Sequence, residues 1–185
     1  YNNNLKTYES VIDNSVWCND KTNVTDTTYN WGWSNVNGYG YAKNATFYGT
    51  TQRLVSSSGS ASGTGPSLKC NGELSKITSK IGLITADELA FAGYANGLRN
   101  TATYLQENAT DAYWWSLSPF GFFGLFAGVW YVSGSNGSFG DYGTDPTDAV
   151  RPSISLKPFT NVTGNGTSDN PFIVSHVSPE KTVEW

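Results

Sequence analysis

Tyr113-Trp114-Trp115-Ser116-Leu117-Ser118-Pro119 alternates in the manner of a β-strand, and Val129-Trp130-Tyr131-Val132 repeats the pattern shortly afterwards. A period of two in apolar character marks a strand with two distinct faces, here with Trp115 and Leu117 together on one of them. Ser135-Asn136-Gly137-Ser138 continues the second strand and carries the Asn-Gly pair of a tight hairpin. Val150, Pro152, Ile154 and Leu156 then alternate without a break. This predicts a further strand with Pro152 near its edge, because proline has no N–H to give to a ladder. Towards the N-terminus, Ile81-Gly82-Leu83-Ile84 reads as a short buried strand leading into Thr85-Ala86-Asp87-Glu88. That tetrapeptide is a capping box: Thr85 accepts from the helix backbone and Glu88 reaches back to Thr85. Leu89, Ala90 and Phe91 extend the helix, and Gly93 with Asn96-Gly97 closes it.

The ends and the first third are less regular. Leu5, Tyr8 and Ile12, with Val11 beside them, form a helical stripe that stops at Asn14. Residues 19–66 read as long loops anchored by Trp31, Trp33, Tyr39, Tyr41, Phe47 and Tyr48, with a Ser/Gly loop over 56–66. Pro171-Phe172-Ile173-Val174 reads as a last short strand after a Gly/Asn/Thr-rich stretch.

The 185 residues carry 11 Lys+Arg against 15 Asp+Glu, a net charge of −4. Only 14% of the chain is charged while 15% is aromatic, which excludes disorder as a reading of the whole. No basic run exists to neutralise phosphates, so nucleic acid is not an expected partner. No apolar stretch reaches the ~18 residues of a membrane span, so this chain is not expected to insert directly. Eighteen Asn, 21 Ser, 20 Thr and 20 Gly give a profile of loops and polar turns that points outside the cell. The start, Tyr1-Asn2-Asn3-Asn4, reads as that of a processed or excised piece. Cys18 and Cys70 are expected to form one disulfide, as suits an extracellular domain; two buried free thiols are the alternative. With them, the single histidine, His176, is too little for a closed zinc site, and no metal or other cofactor is expected.

Residues 113–142 hold 11 of the 27 aromatic residues and one charge, Asp141. On the two strands, Trp114 or Trp115, Leu117, Val129, Trp130 and Val132 are expected in the core. Phe120-Gly121-Phe122-Phe123-Gly124-Leu125-Phe126 follows neither period and reads as a glycine-punctuated surface loop whose apolar side chains form a binding patch. Tyr131, Ser133, Ser135, Phe139, Asp141, Tyr142 and Asp145 are expected to flank it. Rigid aromatics among Ser and Gly are also what antibody paratopes use.

These segments, Trp114 to Pro119, Val129 to Val132, the Asn-Gly turn and Val150-Arg151-Pro152-Ser153-Ile154-Ser155-Leu156, resemble the C-terminal half of a C-type-lectin-like fold. More closely they resemble surface proteins of gut bacteria and phage related to formylglycine-generating-enzyme domains; the strand–helix unit at 81–93 and the cysteine pair are similar too. The resemblance implies an α+β fold of short antiparallel strands, two helices and long loops. Its expected parts are a lead-in helix over 1–16 continuing an upstream anchor, the lectin-like domain over 17–160 and a C-terminal extension over 161–185. Some members of the group are variable proteins of diversity-generating retroelements, often pilin-like, so the resemblance implies a diversified binding face over 120–145. The implied function is a non-enzymatic adhesin or receptor module on a bacterial surface, pilus or phage particle, taking a protein or glycan ligand. The alternative is a minor-pilin-like structural subunit whose aromatic face packs on its neighbour. Enzymatic relatives use a late pair of copper-binding cysteines, and no cysteine follows Cys70 here. Asp87 and Glu88 read as helix capping and Asp145 and Asp148 as a polar loop, and the tripeptides that bind calcium in animal lectins are absent.

Overall fold

The computed structural model describes residues 5–29, 46–69, 74–107, 109–110, 112–123, 126–167 and 169–174. In chain order the elements are β1 (Ser15–Asp20), β2 (Thr46–Phe47), α1 (Gly49–Leu54), β3 (Leu74–Ser79), β4 (Ile81–Leu83), α2 (Ala86–Phe91) and α3 (Tyr104–Glu107). They continue as β5 (Tyr113–Phe123), β6 (Phe126–Ser133), β7 (Phe139–Gly143), β8 (Pro152–Ile154), β9 (Val162–Thr163) and β10 (Ile173–Val174). The fold is mixed α/β: short helices against a four-stranded antiparallel sheet, in the order β2-β5-β6-β7, with two-stranded ribbons β1-β3, β4-β8 and β10-β9 beside it.

The long strand β5 organises the rest. Its residues Trp114, Ser116, Ser118 and Phe120 are buried, and Tyr113, Trp115, Leu117 and Pro119 are half-buried on the other face. Two irregularities break its pairing with β6, between Trp115 and Pro119 and between Pro119 and Gly121. Both are occupied by other elements. In the first, the Leu117 amide donates to the Ile84 carbonyl at 2.8 Å, and Ser118 Oγ accepts from the Ala86 amide at the start of α2 at 2.9 Å. In the second, the Phe120 carbonyl accepts from Thr51 Oγ1 of α1 at 2.6 Å and from the Tyr48 amide at 3.2 Å. A bulge bends a strand and frees backbone groups, and here the freed groups seat both helices on the sheet.

The core fills the angle so formed. Trp130 and Phe139 stack with ring centroids 4.7 Å apart, Phe120 meets Trp130 edge-on at 5.0 Å, and Phe47 meets Phe120 at 5.8 Å. Leu54, Val55, Ala86, Leu89, Tyr94, Trp114 and Val132 complete it. Helix α2 is held at its start by the expected capping box, Glu88 N–H to Thr85 Oγ1 and Thr85 N–H to Glu88 Oε2. The Asn136-Gly137 turn joins β6 to β7 with Gly137 at φ 67° and Asn136 Oδ1 accepting from the Ser138 amide. The closing strand β10 pairs with β9.

Several expectations are corrected. Residues 120–123 are strand rather than loop, and Phe126 already belongs to β6, paired with Phe123. The glycines that broke the alternation have a structural place: Gly121 lies opposite Gly128, which lies opposite Gly143. Three strands thus meet glycine to glycine in a row across the sheet. The stripe at the N-terminus makes only a 3-10 turn, Lys6–Tyr8, of which none is buried. Val11 and Ile12 do enter the interior, through a bridge from Ile12 to Leu156. Among the described residues three α-helices form where two were expected. The alternating residues Val150, Pro152, Ile154 and Leu156 point outward. The reason is Arg151 between them, which turns inward over the Trp114 ring, 5.2 Å from its centroid, and donates to the Leu105 carbonyl. Trp31, Trp33, Tyr39, Tyr41 and His176 lie outside the described residues.

Candidate functional site

The two faces of the main sheet divide the aromatic segment. Phe120, Ser133 and Phe139, expected in a binding surface, are buried: Phe120 is 4% exposed and Phe139 1%, each packed against Trp130. Ser133 Oγ lies 3.1 Å from Ser135 Oγ at the hairpin, so this pair shapes the turn. These three positions belong to the interior because their strand phase follows Trp130 or the turn, which spacing alone does not disclose.

The opposite face carries a cluster of tyrosines. Cross-strand pairing sets Trp115 opposite Tyr131 and Tyr142 opposite Val129, so these side chains share a side. Tyr113 and Tyr131 lie 4.9 Å apart by ring centroid, Tyr113 and Tyr142 5.2 Å, and Tyr131 and Tyr142 5.6 Å. Tilted and edge-on contacts at these separations are the favourable ones for aromatic rings, so the trio is a preformed block. Gly140 sits opposite Tyr131 and its missing side chain leaves the ring uncovered there, with Tyr131 Cε1 3.7 Å from where a Cβ would stand. The Tyr131 hydroxyl is held above the usual phenol range, first by burial and then by Tyr113, Asp141 and Tyr142, and stays a neutral donor. Tyr113 and Trp115 are not among the residues that the sequence marks for a site, and Leu117 and Val129, expected in the core, are half-buried on this outer face. The alternation with Trp114 meant that one of the two rows must face away from the core.

At the end of the sheet, a cleft of about 420 Å³ is lined by Phe122, Phe126, Ala127, Thr144 and Asp145. Phe126 is 49% exposed and leans over Gly143, its Cδ1 3.6 Å from where a Cβ would be. The structure therefore brings together Phe122, Phe126 and Asp145 in the cleft and Tyr131 and Tyr142 on the face. Ser135 is exposed in the hairpin turn, beside Ser133, the ladder partner of Tyr113. Phe123 lies in β5, and Leu125 lies outside the described residues.

Asp141, opposite Trp130 in the ladder, lies on the other side of β7 from the tyrosines. Much of the residue is open to water, yet desolvation of its carboxyl lifts it above the usual carboxylate range, against the effect of its own backbone N–H. A carboxyl raised in the folded state contributes most stability below its unfolded value of about 3.9 and loses that contribution as pH rises through the folded value. Asp141→Asn is accordingly expected to melt higher than the parent at pH 7 and to match it near pH 3. Thermal melts at the two pH values check this.

A second cavity, about 430 Å³, opens between β1 and the helices, with Trp17, Lys69 and Glu88 among its walls. Its floor is ionic. Arg53 donates through Nε and one terminal nitrogen to both oxygens of Asp87, each at 2.7 Å, and through the other to Asp20 at 2.7 Å. Burial opposes the charge on Arg53, but the bonds to Asp87 and Asp20 outweigh it and raise its affinity for the proton. Asp87 also accepts from the Ser67 amide and Asp20 from the Thr22 amide. This cluster ties α1, α2 and β1 together. Cys18, on the cavity wall, is disulfide-bonded; Cys70 lies outside the described residues. Among the described residues no three His, Cys, Asp or Glu side chains stand close enough to hold a metal ion. No helix among them is long and apolar enough to cross a membrane. No protein-family model, curated protein or solved structure matches the chain.

Proposed function

We propose that this protein is a non-enzymatic recognition module that takes a protein or glycan ligand on the face formed by Tyr113, Trp115, Tyr131 and Tyr142 and on the adjoining cleft. The supporting observation is the mutually packed, partly exposed tyrosine trio on an antiparallel sheet whose other side is the core. Rings fixed by neighbouring rings lose little entropy on binding, while their hydroxyls offer hydrogen bonds. Ladder hydrogen bonds and the core beneath hold the sheet in place, so side chains on this face are free to vary at small cost to folding. That division of labour is what a C-type-lectin-like variable protein requires, and we take this fold, a diversified face and an extracellular or phage-borne location as part of the proposal.

The test is capture. The parent and Tyr142→Ser are each passed over a printed oligosaccharide array and a displayed peptide library. The parent is expected to retain members that Tyr142→Ser binds about tenfold or more weakly, as befits a central aromatic anchor. Retention of nothing by the parent, or equal retention by both, would overturn the proposal.

A further inference from the structure

Phe159 is the most exposed aromatic side chain among the described residues, at 101% of its reference area. It is also the only non-glycine residue among them with positive φ, at 63°. It stands at the third position of the turn Lys157-Pro158-Phe159-Thr160, closed by the Thr160 amide on the Lys157 carbonyl at 3.2 Å and by Thr160 Oγ1 on the same oxygen at 2.7 Å. Proline second and positive φ third define a type II turn, whose third position normally takes glycine or asparagine. A phenylalanine there carries backbone strain and gains no burial among the described residues. Strain kept without a local gain is a pointer to function.

The same chain offers a matching concavity. The cleft at the end of the main sheet is walled by Phe122, Phe126 and Ala127 and has Asp145 on its rim. An apolar cavity of about 150 Å³ already takes up benzene, so a cleft of about 420 Å³ has the volume for a phenyl ring. The charges match as well. Lys157 is exposed and makes no ion pair among the described residues, and Asp145 is exposed at the cleft.

We infer that the Phe159 turn of one molecule docks in the Phe122–Phe126 cleft of a second copy, with Lys157 set against Asp145. The inference rests on reading the cleft as part of the binding face, and it assigns that end of the face to self-assembly. Knob and cleft are different surfaces of one chain, so the contact either closes reciprocally in a two-fold dimer or repeats head-to-tail. Head-to-tail contacts build rings when the rotation closes and open filaments when it does not. The tyrosine trio remains free for another ligand.

Sedimentation of the full chain over a concentration series reads the association directly. The parent is expected to rise above its monomer mass of 20.0 kDa as concentration increases. Phe159→Gly, which suits the turn, is expected to melt no lower than the parent yet to remain monomeric. Phe126→Ala, which removes a cleft wall, is expected to remain monomeric too. Mixed one to one, these two variants are expected to form a heterodimer and nothing larger, since each retains one half of the contact. Lys157→Asp is expected to weaken association about tenfold, with recovery when Asp145→Lys is added. A parent that stays monomeric up to about 1 mM, or a Phe159→Gly that assembles like the parent, would overturn the inference. Neither result touches capture through Tyr142, so the proposed function would stand or fall separately.

Discussion

Arg53→Met is expected to lose about 3–5 kcal/mol of folding stability, the cost of stranding buried charges that have lost their partner. Both carboxylates concerned are buried, Asp20 at 6% exposure and Asp87 at 4%, and Arg53 is their common partner. Removing the guanidinium leaves two negative charges facing each other in a cavity wall. The contrast is the surface pair Lys80–Glu9, 2.9 Å apart but open to water, whose loss is expected to cost less than about 1 kcal/mol. Replacing all three members by apolar residues is not expected to restore the parent. Asp87 and Asp20 also satisfy the Ser67 and Thr22 amides, which would then be left without acceptors. Urea denaturation of the three variants separates these cases. Because the cluster fixes α1 and α2, which seat on the two irregularities of β5, its loss is also expected to loosen the sheet that carries the tyrosines.

Trp130→Ala is expected to lose about 3–5 kcal/mol, through lost transfer energy and the cavity left behind. Trp130 is fully buried and is held by Phe139 stacked on it and Phe120 at its edge. Its neighbours are strand residues with little freedom to collapse into the gap, which favours the upper part of that range. The indole N–H has no acceptor among the described residues, so Trp130→Phe forfeits volume without stranding a hydrogen-bond partner and is expected to lose less. Equal losses for the two variants would show that the ring stack is not what holds this region.

The sequence disclosed those elements whose signals are local. The capping box at Thr85–Glu88 needs four consecutive residues, and the Asn136-Gly137 hairpin needs a turn between two alternating runs. Both formed as read. The Phe120 to Phe126 stretch failed because its meaning is not local. Its glycines look like loop punctuation in one dimension, but Gly121 is answered by Gly128 and Gly143 on two other strands. The irregularity before Gly121 also shifts the phase, so that Phe120 and Trp130 share the core although the spacing does not line them up. The run from Val150 to Leu156 formed a strand, over Pro152–Ile154, but perfect alternation fixes two faces without saying which one the core takes, and here Arg151 turns inward to reach Trp114.

The ionic cluster was missed because Asp20, Arg53 and Asp87 are more than thirty residues apart from one to the next. Asp87 was explained by its place in the first turn of a helix, and that place is real, but the helix start serves to aim it at Arg53. One signal was present. Arg53 is the single charged residue between Lys43 and Lys69, and an isolated charge in so long a neutral stretch needs a partner from elsewhere in the chain.

The central claim is that one sheet keeps stability on its inner face and recognition on its outer face. The free energy of unfolding of Tyr142→Ser, measured beside that of Trp130→Ala, tests it most directly. Tyr142 is more than a third exposed and contributes chiefly its two ring contacts, so a loss of no more than about 1.5 kcal/mol is expected, well below the loss at Trp130. A loss at Tyr142 as large as that at Trp130 would place the tyrosine trio in the supporting core and contradict the account.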